Sequence, residues 1–403
     1  LYRLALIDEW PVQHWIRALQ AWSSENLARR SWRYLAPLVE IMPDYVLSEI
    51  SSSLTWWLEV VSKVIQNHNE LFIPICSRQI WLNGGTEADG QITVNKAINH
   101  PIGHITNGLI NYWFREIQND NQGLPEELKS IFRRLCDTEQ HKFRYARTLL
   151  SANLITFFRI DQDWTQENLL PLLNWDNSSD EALAAWSGFL WSPRLYPPLM
   201  EAIKLNFLDT VTHYDQLVNC GRQYAGLMTY TALSQSEFFS DEELYNATMK
   251  LPAAGLDEAA RTLVRTLEGA GEQREEYWKN RTAIYWKNIW PKSLALVTEP
   301  ISARLAQLAI SARNLFPEAL DTLIDWITPP KNLHYTVHLL QGSCLCRQFP
   351  EDSLRLLDAI IEDQSWATDN ITDCLNDIEN VWPDARKDSR FQRLRAYMSS
   401  NGL

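Results

Sequence analysis

Two histidines and two cysteines near the end of the chain are the residues whose types and spacing could bind a metal ion. His334 and His338 are four residues apart and therefore share a helix face, and Cys344 and Cys346 follow them closely. The sequence has no CxxC pair, and the pattern places both cysteines in the last turn of one helix. We therefore interpret the cysteines as core residues and the histidines as half-exposed, and we predict neither a metal nor a cofactor.

A glycine pair and an acidic cluster are the other candidates for chemistry. The "GAG" at Gly269–Gly271 lies between two helical stretches with no strand before it, so the pattern predicts a helix end and a turn rather than a phosphate loop. Asp241, Glu242 and Glu243 fit a solvated helix N-terminus. Because the chain also lacks GxSxG, HExxH, Walker and kinase motifs, we predict no catalytic residue.

The segment "NKAINHPIGHITNGLINYWF" at 95–114 carries polar side chains at helical spacing. Asn99 is expected to cap a helix that starts near Pro101, and glycines inside that helix indicate close backbone packing. Steps of three and four residues place one polar stripe on this helix: His100, His104, Asn107, Asn111 and Arg115. The stripe is either a solvated face of a buried helix or a partner-binding surface, and both interpretations stay open.

A second candidate surface surrounds the proline-rich turn in "EALAAWSGFLWSPRLYPPLMEAI" at 181–203. It consists of Trp186, Trp191, Arg194 and Tyr196. Tryptophan, tyrosine and arginine are the residue types that most often anchor protein interfaces. Trp186 and Trp191 equally fit a hydrophobic core.

Composition limits the classes of function. The chain has 403 residues, 45% of them hydrophobic, and a formal net charge of −13, which disfavours a broad nucleic-acid interface. The basic spots "RRSWR" at 29–33 and "FRRL" at 132–135 are expected to pair with the many acids. Six scattered cysteines and the absence of a long uncharged apolar run predict a cytoplasmic protein outside the membrane. Because the chain begins at Leu1 without leader features, we expect a further segment upstream.

An aromatic residue, a proline and an acid recur three times at a spacing of 33 residues: "FPEAL" from Phe316, "FPEDS" from Phe349 and "WPDAR" from Trp382. Proline at the first helical position and an acid beside it predict that a helix starts at each site. One period is therefore one helical hairpin, a unit that buries its apolar face by stacking on its neighbours.

The rest of the chain shows similar helix starts without a strict period, in "MPDYVLSEI" at 42–50 and "LPEELKSIF" at 124–132. The sequence therefore predicts an all-α, superhelical stack of hairpins, a solenoid like the HEAT and TPR arrays. A loop, "NGGTEADGQ" at 83–91, separates an N-terminal helical segment at 1–82 from a central helical region at 92–300. The hairpin repeats are predicted at 301–403.

Three segments carry a family resemblance: "AINHPIGHITNGLINYWF", "EALAAWSGFLWSPRLYPPLMEAI", and "FPEDSLRLLDAI" together with "DSRFQRLRAYM". They resemble the helical C-terminal region of the defence-associated sirtuins, large bacterial antiphage proteins with an N-terminal sirtuin-like domain. The resemblance implies that an upstream NAD-consuming effector is controlled by this region, which senses a phage protein. No sirtuin core lies within the 403 residues, so NAD hydrolysis is not expected of them.

Two classes of function remain. The first is a non-catalytic sensor or scaffold that binds a protein trigger and controls an attached effector, with homo-oligomerisation left open. The second is a helical enzyme or a general interaction scaffold with an unrecognised site between helices. The absence of convergent catalytic residues favours the first.

Overall fold

The computed structural model describes residues 1–5, 7–83, 92–330, 333–362 and 369–400. No residue in these ranges belongs to a β-strand, which confirms the all-α class. The chain divides into two compact units, Leu1–Asn206 and Phe207–Leu403. The division at 1–82, 92–300 and 301–403 stays a prediction, and most of the loop at 83–91 lies outside the described residues.

The first unit contains mostly short helices with the following bounds: α1 (Tyr2–Ala5), α2 (Val12–Trp22), α3 (Glu25–Ile41), α4 (Asp44–Glu49), α5 (Ser51–Ser62), α6 (Phe72–Leu82), α7 (Val94–Ile98), α8 (Pro101–Trp113), α9 (Glu126–Leu135), α10 (Arg144–Ala152), α11 (Leu154–Ile160), α12 (Gln162–Asn168), α13 (Ser179–Phe189) and α14 (Pro197–Ala202). The next helix along the chain is α15 (Lys204–Asp209).

The helices that follow in the second unit are α16 (Gly221–Ser234), α17 (Asp241–Met249), α18 (Ala253–Gly269), α19 (Arg274–Tyr277), α20 (Ala283–Asn288), α21 (Glu299–Ser311), α22 (Phe316–Leu323), α23 (His334–Gly342), α24 (Leu345–Gln348), α25 (Pro350–Ile360), α26 (Asp369–Val381) and α27 (Ser389–Ser400). A π-helical turn, Trp278–Thr282, joins α19 to α20.

Side-chain caps mark the starts of several helices. The Ser178 side chain accepts a hydrogen bond from the Glu181 N–H at the start of α13. Ser240 and Glu243 form a reciprocal capping box at the start of α17. The "GAG" segment is the predicted helix end, because α18 stops at Gly269 and Gly271 has a left-handed φ of 56°.

The three aromatic-proline starts differ in the structure that follows them. The first two begin α22 and α25, and the ring centroids of Phe316 and Phe349 lie 6.4 Å apart. At the third, Pro383 begins only the 3₁₀ turn Pro383–Lys387. The turn stops at Asp388, whose carboxylate accepts the Arg390 N–H at 2.8 Å and so starts the separate helix α27.

The expectation that Cys344 and Cys346 share the last turn of one helix is wrong. α23 ends at Gly342, and Cys344 has a left-handed φ of 62° that separates it from α24. The Ser343 hydroxyl donates to the Leu340 carbonyl at 2.6 Å, which satisfies an acceptor at the helix end. Cys346 is buried in α24, while Cys344 is exposed.

Two helix pairs form the centre of the first unit: α5 packs on α8, and α10 packs on α13. At the α10–α13 crossing, a Cβ added to Gly188 would lie 2.0 Å from the Thr148 carbonyl oxygen. The same crossing buries an ion pair, because Arg147 Nε donates to Glu181 Oε2 at 2.6 Å and Arg147 Nη2 to Glu181 Oε1 at 2.8 Å. In the second unit, α18 contacts both α16 and α21.

We expect Gly188→Ala to lower the free energy of unfolding by about 1 to 3 kcal/mol, because the new methyl group forces α10 and α13 apart. Gly342→Ala is the matched control, since a Cβ at Gly342 would meet no atom within 4 Å. Urea unfolding of both variants measures the effect. Equal stabilities of the two variants would contradict the close approach of these helices.

Candidate functional site

Helix α8 positions the first set of predicted site residues, and its N-terminal cap is His100. The His100 Nδ1 atom accepts the Ile102 N–H at 3.2 Å, and Pro101 occupies the first turn. The expected cap, Asn99, instead follows the end of α7, where its amide donates to the Asn95 carbonyl at 2.7 Å. The prediction of Asn99 as the cap is therefore wrong by one residue, because α7 already uses the Asn99 side chain.

The middle of the polar stripe packs on α5 through one carboxylate. His104 Nδ1 lies 2.5 Å from Glu59 Oε2, and Asn107 Nδ2 donates to Glu59 Oε1 at 3.3 Å. The side chains of His104 and Glu59 are only 16% and 20% exposed. These contacts favour a structural role for His104 and Asn107, and their role in partner binding stays a prediction.

Arg115, at the C-terminal end of the stripe, also contacts other residues of the first unit. The Arg115 guanidinium donates to the Ile65 carbonyl, and its Cζ lies 5.5 Å from the centroid of the Tyr112 ring. Tyr112 in turn stacks on Phe72 with a centroid distance of 4.9 Å. Asn111 is half-buried. The stripe is therefore mostly a polar seam between α8 and its neighbours.

The surroundings of His100 keep its ring neutral at pH 7 in the folded chain. Its ring stacks on Tyr145 at a centroid distance of 3.9 Å. Burial, with a smaller contribution from the charge of His104, lowers the pKa of His100 from 6.5 to about 4. A neutral ring suits the cap, because Nδ1 must keep its lone pair to accept the Ile102 N–H.

The second set of predicted residues divides between core and surface. Trp186 is fully buried, and its indole N–H donates to the Leu173 carbonyl at 3.0 Å. Trp191 is 54% exposed, and Arg194 is exposed as well. Tyr196 is half-buried, with its ring edge-on to Phe158 at 6.5 Å. We call Trp191, Arg194 and Tyr196 the α13–α14 corner.

The expectation that the two basic spots pair with acids is wrong for Arg30 and Arg33 among the described side chains, and it stays a prediction for Arg29, because the side chain of Glu25 one turn before it lies outside the described part of the chain. Arg134 lies over the exposed Trp81, with its Cζ 3.1 Å from the ring centroid, beside a cavity of about 300 Å³. The side chains of Arg30 and Arg33 are exposed and lie within ion-pair distance of no described carboxylate. Sequence analysis could not find the Trp81–Arg134 contact, because its members lie on separate helices, α6 and α9.

The histidines and cysteines considered for zinc do not converge in the structure. His338 Nδ1 lies 3.1 Å from the Asn370 amide nitrogen. Cys346 is buried, while Cys344 is exposed in the break between α23 and α24. Over the described ranges, no three histidine, cysteine or acidic side chains are grouped so that they could hold a metal ion.

Comparisons with protein-family models, with curated proteins and with solved structures found no match to this chain. Among the described helices, none has the length and apolar character needed to cross a membrane. The first unit offers a solvent-facing aromatic and cationic corner on a packed helical scaffold.

We expect acid to destabilise the chain partly through His100. Because its pKa is about 4 in the folded chain and 6.5 ordinarily, the unfolded chain binds the proton first as the pH falls below 6.5. The contribution of His100 to the free energy of unfolding is thus fully present above pH 6.5 and is lost as the pH falls towards 4. This loss should reach about 1 to 2 kcal/mol after allowance for partial exposure.

The matched variant is His100→Asn, since asparagine caps a helix equally well and does not titrate. Urea unfolding at pH 7 and pH 4.5 should show a smaller loss of stability in this variant than in the wild type. Parallel losses in the two proteins would contradict the role of His100.

Simultaneous replacement of His104, Asn111 and Arg115 by alanine should lower the melting temperature. The change leaves the Ile65 carbonyl without the Arg115 guanidinium and Glu59 with Asn107 alone, at a cost of about 2 to 4 kcal/mol. Arg194→Ala, at an exposed residue, should change stability by less than about 0.5 kcal/mol. An unchanged melting temperature together with lost partner binding would instead favour a partner-facing stripe.

Proposed function

We propose that this chain is a non-catalytic, protein-binding sensor or scaffold region. The observation that carries the proposal is the α13–α14 corner, where Trp191 is 54% exposed beside the exposed Arg194. Exposed tryptophan and arginine on a firm support are typical anchors of protein interfaces. The support is firm here because Trp186 and Phe189 of the preceding helix are buried against each other, with ring centroids 5.8 Å apart.

A stack of helical hairpins is the architecture that we propose for the C-terminal part. The ring centroids of the corresponding residues Phe316 and Phe349 lie 6.4 Å apart. The helices that begin at these two sites, α22 and α25, are in contact. Contacts of α23 with α26 and of α25 with α27 fit the same arrangement. A solenoid like the HEAT and TPR arrays with a 33-residue period would present an extended surface for a protein partner.

The biological setting of the proposal comes from the resemblance to the defence-associated sirtuins. In that setting the chain acts in the bacterial cytoplasm and binds a protein trigger of phage origin. Binding controls an NAD-depleting, sirtuin-like effector domain of the same polypeptide. The described part of this chain shows no strand on which a dinucleotide fold could be built, which supports a sensor role rather than NAD hydrolysis.

The experiment is photo-crosslinking from the corner. A benzophenone amino acid at Trp191 should cross-link a phage-encoded protein in bacteria that express the chain and are challenged with a panel of phages. Arg194→Glu should abolish this product, because charge reversal removes an interface anchor. The same probe at Leu205, which is 79% exposed, is the control and should give no such product.

The purified chain should also leave NAD intact with or without the captured protein. Absence of a phage-encoded product across the panel would contradict the proposed sensor, as would the same product from position 205. Loss of NAD with the purified chain would contradict the non-catalytic part of the proposal.

A further inference from the structure

One small cavity of the second unit lies where three neighbouring helices, α18, α21 and α23, come to an end. Its volume is about 200 Å³, and its lining residues lie at or near the C-terminal ends of these helices. A helix C-terminus carries free carbonyl groups and partial negative charge, so cationic side chains are expected there. We call it the arginine cavity, and its polar lining residues are Glu268, Arg274, Ser311, Arg313, His338 and Ser343.

Arg274 serves the end of α18, so part of its role is structural. Its Nε donates to the Leu267 carbonyl at 3.2 Å, and its Nη2 donates to the Glu268 carbonyl at 3.0 Å. Its Nη1 takes part in neither bond. Burial, followed by the nearby charge of Arg313, lowers the pKa of the half-buried Arg274 guanidinium. Two like charges therefore lie close enough at this cavity to repel each other.

Arg313 is the cation whose presence the helix ends do not explain. It lies in the turn between α21 and α22 with a left-handed φ of 56°, which is unfavourable for a residue with a Cβ atom. Its side chain is exposed and makes no hydrogen bond or ion pair with any described residue. An anion in the cavity would offset the repulsion between Arg313 and Arg274.

His338 adds a third nitrogen donor to the lining. Its Nδ1 lies 3.1 Å from the Asn370 amide nitrogen. An amide nitrogen can only donate, so Nδ1 accepts, and the proton of the neutral ring is on Nε2. The nitrogen donors of the cavity thus come from three places in the fold: the start of α19, the turn after α21, and α23.

Glu268 is the single carboxylate among the described lining residues, and it determines which kind of anion the cavity accepts. Its Oε1 accepts the Ser311 hydroxyl at 3.1 Å, so that hydroxyl already has an acceptor. The remaining lone pairs of the carboxylate repel an anion without protons, such as sulfate. A phosphate that keeps a P–O–H group can instead donate a hydrogen bond to this carboxylate.

We propose that the arginine cavity binds a phosphate group that carries a proton, either as free hydrogen phosphate or as the phosphate of a small monoester. Arg313, Arg274 Nη1 and His338 Nε2 donate to its unprotonated oxygens, and Glu268 accepts its P–O–H group. Hydrogen bonds between arginine and phosphate are charge-assisted and therefore strong. The inference goes beyond the proposed function, because it assigns a small-molecule site in the second unit.

Size and charge argue against other occupants of the cavity. Pockets for drug-sized ligands enclose about 300 to 1,000 Å³. A volume of about 200 Å³ therefore fits a phosphate group with at most a short substituent. A carboxylate ligand is small enough, but once ionised it has no proton to donate to Glu268. A metal cation is disfavoured by the two arginines.

The test is isothermal titration calorimetry of the full chain at pH 6, where about half of a phosphomonoester keeps a proton. The probes are sodium phosphate, glycerol 3-phosphate and sodium sulfate, compared at equal ionic strength. Phosphate should bind roughly fivefold more tightly than sulfate, because only phosphate satisfies Glu268. Tighter binding of glycerol 3-phosphate than of phosphate assigns the cavity to a monoester, and the reverse order assigns it to free phosphate.

Arg313→Gln should weaken phosphate binding about tenfold, because it removes a charge-assisted donor. Its melting temperature should stay unchanged, since the Arg313 side chain bonds to no described residue. The matched control is Arg133→Gln, which removes an exposed arginine at the end of α9 and should change neither quantity.

Glu268→Gln tests the selection between anions. The amide can donate to sulfate, so the preference for phosphate over sulfate should fall roughly fivefold, to near equality. Thermal unfolding checks that the variant keeps its fold. An unaltered preference in this variant would overturn the inference, as would equal affinities for phosphate and sulfate in the wild type.

Arg194→Glu separates this inference from the proposed function. It should leave phosphate binding unchanged, and Arg313→Gln should leave the cross-link from Trp191 unchanged. Failure of one proposal is therefore distinguishable from failure of the other. Absence of binding by all three probes, or full phosphate affinity in Arg313→Gln, also counts against the arginine cavity as a phosphate site.

Discussion

The buried pair of Arg147 and Glu181 is the constraint on which the arrangement of the first unit depends. Arg147 is completely buried, and its guanidinium donates to both carboxylate oxygens of Glu181 and to the Asp137 carbonyl at 2.7 Å. Burial alone would raise the pKa of the Glu181 carboxyl, but hydrogen bonds and charges from Arg147 and Arg144 hold that pKa below its ordinary value. Loss of one partner would leave a buried charge uncompensated, at a cost of about 3 to 5 kcal/mol.

The geometry of this pair restricts the helices that carry it. The two parallel hydrogen bonds fix the orientation of α10 relative to α13, and Gly188 allows the backbones to approach closely farther along the same crossing. The α13–α14 corner follows directly after α13 in the chain. Trp191 therefore lies exposed just beyond the end of a helix whose position is set by a buried network, which limits the entropy that a partner must remove on binding.

The surfaces of the first unit differ in how their charges are satisfied. The polar stripe of α8 is largely compensated within the unit, since Glu59 serves both His104 and Asn107. Trp191 and Arg194 of the α13–α14 corner, by contrast, are exposed. A polar group that is already paired gains little from a partner, whereas exposed tryptophan and arginine side chains remain available for recognition.

The sequence by itself determined the all-α class and many helix starts, because proline, serine caps and acidic first turns act within a few residues of the chain. It also identified which residues share a helix face, as in the stripe from His100 to Arg115. It could not determine what each face packs against. Only the tertiary structure placed Glu59 beside His104 and Arg134 over Trp81. These outcomes depend on helices distant in sequence, and helical spacing carries no information about such neighbours.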